Sequence, residues 1–120
     1  DLEGAGEEAL QDIINSARTR QTYHIPEHYT ILKVAHHGSK NSTGEELLNR
    51  LNPEYALISC GRDNSYGHPH RETLDRLADC GSQVVRTDEA GEIAVQIRKK
   101  KVQLSIFPEY CYTEYNCSAP

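Results

Sequence analysis

At 120 residues the chain has room for one domain, since a domain usually takes about 100–200 residues, and its 37% hydrophobic content includes one Phe, seven Tyr, no Trp and no Met. Small aliphatic side chains must therefore supply most of the core. A formal net charge of −5 argues against a protein that grips nucleic acid through a broad basic face. A mean hydropathy of −0.70, with no apolar run near the roughly 18 residues of a membrane span, argues against a bilayer-crossing segment.

In chain order, Leu10, Ile13, Ile14 and Ala17 recur at helical spacing between acidic Glu7 and Glu8 and basic Arg18 and Arg20, which predicts an amphipathic helix over 6–20. The run Tyr29 to Ala35 is rich in strand formers and leads into His36-His37-Gly38-Ser39. Thr43 with Glu46 forms the pattern of a capping box for a second helix bearing Leu47, Leu48 and Leu51, stopped by Asn52-Pro53. Tyr55 to Cys60 reads as a short buried strand closed by Gly61. After a loop from Arg62 to His68, Pro69 suits the first position of a third helix, with Leu74, Leu77 and Ala78 on one face and Gly81 as its C-terminal cap. Val84-Val85, the turn Asp88 to Gly91 and the alternation Ile93, Val95, Ile97 predict a hairpin, extended by Val102, Leu104 and Ile106. The basic run Arg98 to Lys101 reads as a solvated strand end or hairpin tip. Helices alternating with buried strands predict a layered α/β domain over 1–107, followed by a tail over 108–120.

Four cysteines without a CxxC pair fit neither a zinc ribbon nor a disulfide framework. Cys60 and Cys80 read as buried thiols, whereas Cys111 and Cys117 are placed to pair in an oxidising compartment. The histidines carry more information. His36 and His37 stand where open α/β sheets place their ligands, and on a strand the two would point to opposite sides. Gly38 allows a close backbone approach, and Ser39 and Ser42 add hydroxyls. In Tyr66-Gly67-His68-Pro69 the glycine and proline hold His68 at a helix entry, with Arg62 and Asn64 nearby for an anion. His24, His28 and His70 lie in polar stretches and read as solvent-facing. Asp1 precedes a glycine-containing turn into the first helix.

Taken together, Asp1, LKVAHHGS, NPEYALISCG, YGHP and RTDEAGEIAV occur in one order. This series, spanning Asp1 to about Ile97, resembles the metallo-β-lactamase-fold domain at the C-terminus of the ComEC family, the DNA-internalisation proteins of competent bacteria. The resemblance implies the C-terminal half of an αββα sandwich, with a mixed sheet and flanking helices. Asp1 looks like the family's metal-bridging aspartate, and His37 or His36 like its late metal-ligand histidine. His68 takes a substrate-side or secondary-ligand role and is the candidate catalytic residue. Ser39, Ser42, Asn64 and Tyr66 are candidates for substrate or outer-shell contacts.

For the complete domain the resemblance implies two divalent ions, zinc or manganese, acting on a DNA phosphodiester of the strand that is not imported. It also implies a membrane channel domain of the same parent protein as partner, in the bacterial inner membrane. The family's early HxHxDH-type cluster is absent from this chain, and Asp1 is its first residue with no basic-then-apolar leader ahead of it. The expectation is a half-domain, weak or inactive alone and prone to homo-association. A phosphodiesterase acting on a small or wall-linked substrate, and a non-catalytic interaction module, are the alternative readings.

Overall fold

The computed structural model describes residues 2–22 and 25–108. Asp1, His24, the Cys111–Cys117 pair and the tail beyond Pro108 lie outside the described residues. The elements in order are α1 (Ala5–Asn15), α2 (Ala17–Thr22), β1 (Tyr29–Lys33), α3 (Glu45–Leu51), β2 (Pro53–Ile58), α4 (Arg71–Asp79), β3 (Gln83–Arg86), α5 (Thr87–Ala90), β4 (Glu92–Arg98) and β5 (Lys101–Phe107). The architecture is α/β, as expected from the alternation of helices and apolar strands.

The expected helix over 6–20 is two helices. Ser16 turns to ψ 138°, its hydroxyl donates to the Ile13 carbonyl, and the same oxygen accepts the Thr19 N–H at 3.2 Å. It thus ends α1 and caps α2, a choice open to serine because its side chain competes for backbone groups. Leu10 and Ile14 of α1 pack inward with Leu47 and Leu51 of α3, while Ile13 is left exposed.

Three strands form a parallel sheet in the order β1-β2-β3, with Leu32 opposite Ala56 and Ala56 opposite Val84. Parallel neighbours require crossovers, and α3 and α4 supply them. Val34, Leu48, Ala56, Ile58 and Leu77 make the central cluster where these helices meet the sheet. The α4 end matches its sequence signal. Gly81 adopts φ +79°, its N–H bonds the Ala78 carbonyl, and Ser82 N–H reaches the Leu77 carbonyl, the Schellman arrangement that glycine favours. At the other end of α4, Pro69 is not the first helical residue; His70 is the N-cap and the helix opens at Arg71.

Two further expectations are corrected. Val84-Val85 does not pair with 93–97: β3 joins the parallel sheet beside β2, the four-residue α5 intervenes, and β4 pairs antiparallel with β5 as a separate two-stranded sheet. A short edge strand of a parallel sheet and a hairpin arm look alike when only two valines are available to judge by. The run Arg98 to Lys101 is the tip of the β4–β5 hairpin, with Lys99 and Lys100 at positive φ. Ile93, Val95, Ile97, Val102, Leu104 and Ile106 pair across one face of that hairpin, and Ile97 is 70% exposed.

The capping box at Thr43 does not form either. Thr43 is buried, and α3 begins at Glu45 behind Gly44 with no side-chain cap of its own. The oxygen atoms come instead from α1: the Glu7 carboxylate accepts the N–H of Thr43 and of Gly44, both at 2.6 Å, and is 6% exposed. One buried and one half-buried amide depend on this side chain. Glu7→Ala is expected to lower the unfolding free energy by about 2–3 kcal/mol, because an unpaired buried donor costs about 1–3 kcal/mol and the half-buried one less. Urea denaturation reads this, with Glu7→Gln, which keeps one acceptor, falling between the two.

Candidate functional site

The C-terminal ends of the three parallel strands open onto one edge, where α/β sheets gather ligands. From β1 the chain passes through Val34 into a tight 3₁₀ turn over Ala35–Gly38, with His36 at φ 44° and His37 at φ 54°. The pair is therefore not on a strand, and the expected opposite orientation does not hold. The His36 ring lies 6.3 Å from that of His37 and 5.4 Å from that of His68, and the His37 ring lies 6.2 Å from that of His68. His70, expected in solvent, is half-buried and joins the group with its ring 4.8 Å from His68. Four imidazoles thus share one corner.

The junction of their two loops is a backbone contact. A Cβ on Gly38, which has φ +81°, would stand 2.6 Å from the Pro69 Cβ, and the His70 N–H donates to the Gly38 carbonyl at 2.9 Å. Because Gly38 follows His36-His37 and Pro69 separates His68 from His70, this contact brings HHGS and HPH together.

Three of the four rings have a polar atom against Nδ1. His37 Nδ1 is 2.6 Å from the Ser59 carbonyl, which can only accept, so that nitrogen carries the proton. His36 Nδ1 is 2.6 Å from Glu3 Oε1. His70 Nδ1 accepts the Lys40 N–H at 3.2 Å. Asn64 holds His68 by its backbone: its Oδ1 accepts the His68 N–H, and its Nδ2 donates to the carbonyls of His68 and Gly61. Tyr66, 76% exposed, stacks on His68 at 5.9 Å and 21°. Together His37, Ser59, Cys60, Gly61, Asn64, Tyr66 and His68 line a cavity of about 440 Å³.

The serines lie behind the rings. Ser42 is 1% exposed, with its hydroxyl 3.1 Å from the carbonyls of Ala35 and Ser39, and the Ser39 hydroxyl accepts the Asn41 N–H. They shape the turn that carries His36 and His37. Arg76 closes the same loop from α4, donating to the carbonyls of Lys40, Ser42 and Thr43. On the far side Thr87 ties the end of β2 in place, its hydroxyl accepting the Cys60 N–H and donating to the Cys60 carbonyl. Arg86 grips Asp88 with two bonds, of 3.0 and 2.6 Å, and holds its carboxyl below the usual range.

Glu3, His70 and Arg76 escaped the sequence reading. The spacing His68-Pro69-His70 was a usable signal for the second, whereas Glu3 and Arg76 reach the site from elements distant in sequence. Cys60 is half-buried, and burial, with Asp88 adding to it, pushes its thiol up to about 11. It is a poor nucleophile near neutrality.

Burial, reinforced by the imidazoles of His70, His36 and His37, pushes the His68 imidazole below its ordinary range. The Ser39 hydroxyl and His36 hold the Glu3 carboxyl low against its own partial desolvation. The two shifts act in the same direction on stability. Below about pH 6.5 the unfolded chain protonates its histidine before the folded one does, so stability falls as pH drops toward the lower folded value. The Glu3 contribution is present above the usual carboxylate range and is lost as pH falls through its own lowered value. Urea midpoints are expected to be flat from pH 8 to 7 and to decline from about pH 6.5 downward, and His68→Gln is expected to remove the first part of that decline.

Imidazole is a ligand suited to zinc, and the carbonyl on His37 and carboxylate on His36 are outer partners of the kind such ligands use. Nevertheless, among the described residues no three His, Cys, Asp or Glu side chains form a group that could hold an ion. The described residues do not by themselves fit a metal centre, and no chemical step is assigned to one. Among them, too, no helix is long and apolar enough to cross a membrane.

The chain is thus an α/β domain whose parallel strands end at a cluster of histidines. The chain is 36% identical over 110 residues to ComE operon protein 3 of Bacillus subtilis, a match covering 92% of this chain and 13% of that protein. It is 38% identical over 74 residues to Recombination protein 2 of Haemophilus influenzae, covering 62% of this chain and 9% of the relative. It is 38% identical over 63 residues to Competence protein ComA of Neisseria gonorrhoeae, covering 52% and 9%. The chain is thus related to competence proteins and spans a small part of their length. No family model matches the chain, and no solved structure matches it.

Proposed function

We propose that this chain is part of a DNA-uptake protein of the competence type and contributes to hydrolysis of DNA phosphodiesters, with His68 as its acid–base residue. The observation that carries the reading is the meeting of His36, His37, His68 and His70 beside a cavity of about 440 Å³, in a chain whose relatives include a competence protein. A neutral imidazole has one N–H and one lone pair. Kept neutral by its surroundings, His68 can take a proton from the attacking water as the oxygen bonds to phosphorus. The bond to the leaving oxygen, on the opposite side of phosphorus, breaks; that oxygen takes a proton from solvent and the imidazolium releases its own to water.

The arrangement proposed for the whole domain is the metallo-β-lactamase-type sandwich, of which this chain would be the C-terminal half. Zinc or manganese ions held by His37, His36 and Asp1 would need further donors from outside the described residues. A membrane channel domain of the same protein, in the bacterial inner membrane, is the proposed partner. With a net charge of −5, the chain leaves the DNA groove to other parts of the assembly. Among the described residues Val95, Ile97 and Ile106 of the β4–β5 hairpin are exposed, which favours association with another surface or copy.

The test is hydrolysis of end-labelled DNA and of bis(p-nitrophenyl) phosphate, with added zinc or manganese, by this chain and by a form extended at its N-terminus. Cleavage of DNA in preference to the small diester by the extended form supports the reading. Cleavage of the small diester alone would favour the small-substrate alternative, and hydrolysis of neither would leave the non-catalytic module.

A further inference from the structure

We propose that Tyr66 is a stacking platform for an unpaired nucleobase next to the scissile phosphate, which makes it a substrate-positioning residue. This rests on the hydrolase reading above and adds a residue to it. The side chain is conspicuous in its setting. It is a large ring, 76% exposed, and among the described residues its hydroxyl has no hydrogen-bond partner, so neither core packing nor a polar bond explains its position. Among the described residues its one ring contact is with His68, at 5.9 Å and an interplanar angle of 21°.

The loop beneath it is held firmly. The Asn64 side chain makes three bonds to the backbone of Gly61 and His68, and Gly67, at φ +71°, returns an N–H to the Asn64 carbonyl. A ring carried on a loop held in place before the ligand arrives leaves less freedom to be lost on binding. It stands at the wall of the cavity shared with His37 and His68, one ring away from the proposed acid–base group. A base that stacks on Tyr66 would therefore set its own phosphate beside His68. Stacking of this kind accepts any base, because each has a π-face, and it needs a base released from its duplex neighbours. An apolar peptide side chain could also cover the ring, but the adjoining imidazoles present polar ring nitrogens that a phosphate ester can engage and an apolar side chain would leave unpaired.

The chain contains no tryptophan, so Tyr66→Trp introduces a single indole reporter. Titration with a thymidine 12-mer is expected to quench its fluorescence, whereas an abasic 12-mer of equal charge and a blunt duplex are expected to leave it largely unchanged. Measured by anisotropy of a labelled thymidine 12-mer at fixed salt, Tyr66→Ala should weaken binding about 5- to 150-fold, the range expected for one stacked base, and Tyr66→Phe should restore it. Circular dichroism establishes that each variant is folded. Equal affinity of the folded Tyr66→Ala variant and the parent for the thymidine 12-mer overturns the proposal, as does equal affinity of the parent for abasic and thymidine strands. The hydrolase reading fails separately: base-dependent binding without cleavage would sink that reading alone, while cleavage that ignores Tyr66 would sink this one alone.

Discussion

His68→Ala is expected to lower DNA hydrolysis by about 10²- to 10⁴-fold, the usual contribution of a positioned acid–base group, in whichever form of the protein cleaves DNA. The loss should fall on kcat, since the imidazole moves a proton in the transition state, and should be larger near neutral pH than in acid, where burial and neighbouring imidazoles no longer keep the ring unprotonated. The fold should survive, because Asn64 holds residue 68 through its backbone N–H and carbonyl, which alanine keeps. Single-turnover kinetics beside circular dichroism would check both parts. A folded variant with an unchanged rate removes His68 from the chemistry.

Gly38→Ala should have the larger effect on stability. Glycine is needed there twice over: φ is +81°, a region that costs an L-residue about 1–2 kcal/mol, and the added methyl would stand 2.6 Å from Pro69 Cβ and 3.2 Å from Pro69 Cα. Overpacking of this kind costs a further 1–3 kcal/mol, roughly, so a total loss of about 2–5 kcal/mol is expected in urea denaturation. The neighbouring backbone cannot yield without moving His70, whose N–H bonds the Gly38 carbonyl. Activity should fall along with stability, since relief of the clash separates His36 and His37 from His68. A Gly61→Ala substitution, where the methyl would meet no atom within 4 Å, is the control for a glycine that makes no such approach.

Much of the fold was legible because the apolar residues repeat with clear periods. The strands at Tyr29 and Tyr55, the helix faces of Leu47, Leu48 and Leu51 and of Leu74 and Leu77, and the glycine stop at Gly81 all follow from neighbours within a few positions. Where the reading went astray, a second element had settled a local choice. Thr43 with Glu46 had the right pattern for a capping box, but Glu7 supplied the oxygen atoms from α1, and Ser16 divided a helix whose apolar spacing runs on without a break. Val84-Val85 carried too few residues to tell a third parallel strand from a hairpin arm.

The candidate site shows the same division. That His36, His37 and His68 are available, that glycines stand beside them, and that their loops follow buried strands can be read from local spacing. That these loops meet, that His70 joins them and that Glu3 lies against His36 follows only from the packing, because parallel β1 and β2 open at the same edge and Gly38 lets Pro69 come within contact distance. Local spacing carries dihedral preferences and helix or strand faces. The distance between residues some 30 positions apart depends on how closely two backbones can pack, and here the absence of a single Cβ sets it.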